Sequence, residues 1–171
     1  MTRSNLNNAL LFNVAWLLCV KFGDAVAVLT CITVLVLHFC YITDNKKEWM
    51  LLCQVLLLGL LIDSLLMALD VLVSVDGSLL PPLWLSALWL LFASTLNHCF
   101  SWLQGRWFLA VLLGATAGPF SYWAGTNLSD VSLGLPLTHS LLAIALCWSV
   151  VFPVCLLLAK RNKNQHSEYI F

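Results

Sequence analysis

Between Leu6 and Ala159 the sequence consists of six apolar runs separated by short polar breaks, and runs of that length leave few folds open. A helix needs about 20 residues to cross the hydrocarbon of a bilayer, with roughly 17 to 25 as the working range. The runs fall near 6–22, 25–42, 49–71, 83–104, 107–126 and 137–159. The breaks carry helix-ending residues: Lys21-Phe22-Gly23-Asp24, Asp44-Asn45-Lys46-Lys47-Glu48, Asp76-Gly77 with Pro81-Pro82, Gln104-Gly105-Arg106, and Asn127 through Pro136. The pattern predicts an all-α polytopic membrane protein. One domain over residues 1–171 holds a single bundle of six transmembrane helices and a short polar cytoplasmic tail from about Lys160. Charged residues make up 9% of the chain, against roughly a quarter in a soluble domain, so a water-soluble fold is excluded.

Arg3 ahead of an apolar run and Ala25-Val26-Ala27 imitate a secretory signal, but Lys21 and Asp24 interrupt the stretch and a new apolar run follows at once. The segment is therefore expected to be retained as the first span. Loops kept in the cytoplasm are enriched in Lys and Arg. With six spans, Arg3, Lys46, Lys47, Arg106, Lys160, Arg161 and Lys163 share one side and Lys21 stands alone on the other, which predicts an N-in, C-in topology. Trp49, Trp102 and Trp107 then lie at the inner interface and Trp84 and Trp123 at the outer one. Eight basic residues balance eight acidic ones without forming a phosphate-tracking face, so no nucleic-acid partner is expected. The seven cysteines lie inside apolar runs without CxxC or Cys/His ligand spacing and read as small hydrophobes.

Polar groups at depth are the candidates for function, because a charge near the bilayer centre costs at least about 2.5 kcal/mol. In LLLGLLIDSLLMALD (residues 56–70), helical rise puts Asp63 about 20 Å above the inner surface and Asp70 about 30 Å above it. Trp89, Ser121 and Tyr122 fall at the depth of Asp63 and are its expected hydrogen-bond donors, forming a ligand-binding or proton-binding pocket. No Lys or Arg falls there. Asp70 is matched in level by Lys21, which predicts an outer ion pair. Asn13, His38, Asn97 and His98 form an inner polar layer, read mainly as helix-joining hydrogen-bonding groups. Ala110, Gly114, Gly118, Ser121 and Gly125 recur on one face of the fifth run. That bare face, which includes a GxxxG pair, and Gly59 on the third run predict close packing between the third and fifth helices. Pro119 should loosen the fifth helix beside Ser121.

Gly59 with Asp63, the run Pro82 to Ala93 (PLWLSALWLLFA) and the run Gly114 to Gly125 (GATAGPFSYWAG) resemble an uncharacterised family of proteobacterial inner-membrane proteins, domain of unknown function 2878. The resemblance covers nearly the whole chain except the tail from Asn162 to Phe171. It implies a multi-pass protein of the bacterial inner membrane and carries no activity, substrate or catalytic residue.

The usual catalytic constellations are missing: there is no HExxH, GxSxG or Walker motif, and no carboxylate-rich metal site. Asp63 and Asp70 are about 10 Å apart along one helix, too far to share a proton. No catalytic residue, metal or cofactor is expected. The reading that needs fewest additional features is non-catalytic binding of a lipid-like or small ligand, or of a membrane partner or second copy, within the lipid bilayer. The alternative is a small-molecule or proton-linked transporter working as an oligomer, with lipid-modifying catalysis behind both.

Overall fold

The computed structural model describes residues 3–43 and 48–167, with side chains over 5–43 and 48–163. Lys46, Lys47 and the side chain of Arg3, on which part of the expected orientation rests, lie outside this description. Helix α1 (Arg3–Leu37) passes into one π-helical turn, His38–Ile42. Then follow α2 (Glu48–Ala68), strand β1 (Leu72–Ser74), α3 (Leu83–Leu96) and a 3₁₀ turn (Ser101–Leu103). Helix α4 (Trp107–Thr126), strand β2 (Val131–Leu133) and α5 (Leu137–Ser167) complete the chain.

The first two apolar runs are two arms of α1. At Gly23 the backbone takes φ 71°, ψ −163°, a region open in practice to glycine alone. The side-chain contacts show that the chain reverses there. Asn8 donates to the carbonyl of Ser94 (3.3 Å) and the His38 ring lies 4.9 Å from that of His98, both at the C-terminal end of α3. Between them in sequence, Asp24 Oδ1 accepts the Trp84 N–H (2.9 Å) at the N-terminal end of the same helix. The arms of α1 therefore run down and back along α3.

Helix α3 is shorter than the expected 83–104 span. It stops after 14 residues, about 21 Å, because its last turn competes with itself for hydrogen bonds. Ser94 Oγ and Thr95 Oγ1 donate to the carbonyls of Leu91 and Phe92, and Asn97 and His98 reach out to Glu48. Four segments are long and apolar enough to cross a membrane: Asn5–Ile42, Glu48–Ala68, Trp107–Thr126 and Leu137–Lys163. A count of six rests on taking α1 as two arms and α3 with the turn that follows it. Helix α5 continues through Lys160 to Ser167, so the first residues of the expected polar tail are helical. These are the helices of a membrane protein, and Leu29, Ile32, Leu57, Leu61, Phe108 and Leu146 stand exposed on their outer faces, a surface that water does not tolerate at this extent.

The fold is not wholly helical. Strands β1 and β2 pair antiparallel, Leu72 with Leu133 and Ser74 with Val131, joining the loops that follow α2 and α4. Asp70 explains how α2 ends there. It adopts φ 53°, with Val71 N–H on the Leu66 carbonyl (2.9 Å) and its own N–H on the Met67 carbonyl (3.0 Å), the Schellman arrangement that closes a helix through a left-handed residue. Asp70 is thus a helix-ending residue. The expected pair with Lys21 does not form; the Lys21 ammonium lies 5.8 Å from the Phe22 ring centroid, and the ion pairs among the described residues all involve Glu48.

Packing differs from expectation in one further respect. The bare face of α4 meets α5, and the third run does not supply its partner. A Cβ at Gly114 would strike the Trp148 carbonyl, and one at Gly118 the Trp148 ring. Ala110 is fully buried on the same face, whereas Gly125 has open space above it. Gly59 on α2 receives the Trp89 ring of α3. Trp49, Trp102, Trp107 and Trp123 are exposed near helix ends, but Trp84 is buried, its indole N–H donating to Asp130 (2.9 Å). Cys40 and Cys53 are exposed; Cys19, Cys31, Cys99 and Cys155 are buried.

Candidate functional site

One turn separates Gly59 from Asp63, so both face α3. The missing side chain at Gly59 lets the Trp89 indole lie flat against α2, and that position brings Nε1 within 2.6 Å of Asp63 Oδ2. From α4, the Tyr122 hydroxyl donates to Asp63 Oδ1 at 2.5 Å. Both carboxylate oxygens are satisfied, and Asp63 has no exposed surface. Ser121 is not a partner of Asp63; its hydroxyl accepts the Trp16 indole N–H at 3.1 Å, tying α1 to α4. The far face of Trp89 stacks on Trp148 of α5, with centroids 5.2 Å apart and planes 13° from parallel.

Beside this arrangement lies a cavity of about 200 Å³ between the first arm of α1 and α3 on one side and α4 and α5 on the other. Its wall runs along α4 from Leu113 to Thr126, about 20 Å of helix. The wall is almost entirely apolar and aromatic. Asp63 was expected to face the pocket, yet it sits behind Trp89 and Tyr122, whose polar ends turn to the carboxylate while their rings line the slot. The Trp148 Nε1 is buried with no hydrogen-bond acceptor among the described residues.

A second polar centre lies at the opposite end of α3 from Asp24. Glu48 Oε2 is 3.0 Å from His38 Nε2 and 3.2 Å from His98 Nε2, and Oε1 accepts Asn97 Nδ2 at 2.9 Å. Gln104 Nε2 in turn donates to Asn97 Oδ1 at 3.0 Å. Three of the four residues of the expected inner layer therefore converge. The fourth, Asn13, is exposed and donates to the Ala9 carbonyl of its own helix. Glu48 itself was read as a loop residue. An acid in the first turn of a helix ordinarily serves the helix dipole, so its sequence position gave no sign that it is 2% exposed and holds two imidazoles. Trp16 and Trp148 were likewise missed, since an aromatic in an apolar run looks the same whether it faces lipid or a cavity.

A model of the family described as protein of unknown function (DUF2878) matches residues 5–154. The chain belongs to this family. The matched stretch of this DUF2878 protein takes in Asp63 with Trp89 and Tyr122, the slot beside them, and His38, Glu48 and His98, and ends inside α5. No curated protein and no solved structure matches the chain.

Proposed function

We propose that this protein binds a lipid-like ligand, a slender apolar chain seated in the slot between α1, α3, α4 and α5, without transforming it. The observation that carries the reading is the shape and lining of the cavity. It extends about 20 Å along α4, roughly two-thirds of the hydrocarbon thickness, and Trp16, Leu88, Ala117, Gly118 and Trp148 give it an apolar wall. Asp63 serves the site by holding two of its aromatic walls.

In this reading the chain crosses the inner membrane of a bacterium six times with both ends in the cytoplasm. Gly23, the β1–β2 pair and Asp130 then lie at the outer face, and Glu48 at the inner one. The excess of basic residues at the inner loops supports it. Purification in a mild detergent followed by native mass spectrometry tests the binding claim. The wild type should retain about one equivalent of a host lipid, and Gly125→Trp, which fills open space at the slot's end, should lose it. Equal retention in the two proteins, or none above the detergent background, refutes the reading.

A second reading, proton-linked transport, is favoured by the burial of an acid between two hydrogen-bond donors on different helices. It requires an Asp63-dependent flux in proteoliposomes, and an oligomer or a membrane partner would complete the path.

A further inference from the structure

We infer that His38, Glu48 and His98 form a binding site for one divalent transition-metal cation at the inner end of the bundle. The three come from separate elements: the start of the π-helical turn, the first turn of α2 and the turn after α3. Each offers one ligand atom, and these atoms lie within 4.8 Å of one another. Around an ion with bonds of about 2.0–2.1 Å, neighbouring ligand atoms sit about 2.9–3.4 Å apart. The two nitrogen-to-oxygen separations, 3.0 and 3.2 Å, already fall in that range. Closing the remaining pair takes a shift of at most about 1.5 Å, which the partly exposed His98 can supply; its side chain is 15% accessible against 0% for His38.

Two further features separate this centre from an ordinary ion pair. Both imidazoles present Nε2 to the same carboxylate oxygen, so the three ligand atoms face one another and a cation can take the place of the protons they share. Glu48 is also held from behind: Asn97 bonds its other oxygen and Gln104 bonds Asn97, the kind of outer support that fixes a metal-ligating carboxylate. π-Helical turns such as the one His38 opens recur at functional sites. Two imidazoles and one carboxylate suit Zn²⁺ or Fe²⁺ and leave positions open for water or a substrate oxygen.

The test uses the full-length protein in detergent, with a histidine-free affinity tag, stripped with chelator and titrated with Co²⁺ and Zn²⁺. One equivalent of Co²⁺ should bind with the visible ligand-field bands of a low-coordinate site, and Zn²⁺ should displace it. Glu48→Gln and His98→Ala should weaken binding more than about 100-fold, and Asn97→Ala, which keeps all three ligands, about 10-fold. His139→Ala, an exposed histidine elsewhere, should change nothing. Absence of a stoichiometric Co²⁺ band in the wild type overturns the assignment, and so does equal affinity in a folded His98→Ala. Should His98→Ala fail to fold, the wild-type stoichiometry and Asn97→Ala decide: unchanged affinity in Asn97→Ala overturns it.

Discussion

Replacing Gly59 by alanine is the sharpest probe of how the Asp63 region is held. A Cβ at Gly59 would fall within the Trp89 indole. The ring cannot retreat, because Trp148 stacks on its other face at 5.2 Å and Nε1 is anchored to Asp63. Overpacking a close-packed interior costs about 1–3 kcal/mol. Tilting the ring away also strips one donor from a fully buried carboxylate, another 1–3 kcal/mol or so. Better helix propensity returns about 1 kcal/mol, so the net loss should be about 1–5 kcal/mol. Reversible unfolding in mixed micelles, followed by tryptophan emission and by far-ultraviolet circular dichroism, measures it. The cause is isolated by a double-mutant cycle: in a Trp89→Leu background, Gly59→Ala should become nearly neutral or stabilising. Gly125→Ala, with nothing within 4 Å of the new methyl group, serves as the control and should not destabilise. The argument fails if Gly59→Ala unfolds with the wild type, or if its cost persists undiminished without Trp89.

Asp63→Leu leaves the Trp89 and Tyr122 donors buried without an acceptor and should cost about 1–3 kcal/mol in the same unfolding assay, whereas Asp63→Asn, whose oxygen can accept from Trp89 and whose amide can donate to the Tyr122 hydroxyl, should cost less; Tyr122→Phe in the Asp63→Leu background should recover part of the loss. Gly114→Leu should separate α4 from α5 and prevent recovery of folded protein, whereas Gly125→Leu should fold normally, as read by size-exclusion profiles in detergent. Asp24→Ala removes the acceptor for the Trp84 N–H at the start of α3 and should cost about 0.5–2 kcal/mol in thermal unfolding, with Asp24→Asn close to wild type. Reporter fusions after Gly77 and Gly105 should report opposite sides of the membrane; the same side for both refutes six crossings.

The apolar runs alone determined that this is a helical membrane protein, because backbone polar groups in lipid must be satisfied within each segment. Helix α4 was legible to its end residues, Trp107 and Thr126, since Arg106 and the polar stretch from Asn127 bracket an uninterrupted run. Depth along the helix was enough to single out Trp89 and Tyr122 for Asp63, because rise per residue is fixed and those residues had few polar neighbours at that level. Azimuth was not available. The helices of a bundle in lipid are apolar on nearly every side, so the sequence carries little record of which face turns inward. That is why Ser121 was assigned to Asp63 while its hydroxyl belongs to Trp16, and why the glycines of α4 were matched to α2 while they receive Trp148 of α5. Long-range convergence was equally hidden. His38, Glu48 and His98 are separated by 10 and 50 residues with no ligand spacing between them; only the reversal at Gly23 and the early end of α3 bring them to one point.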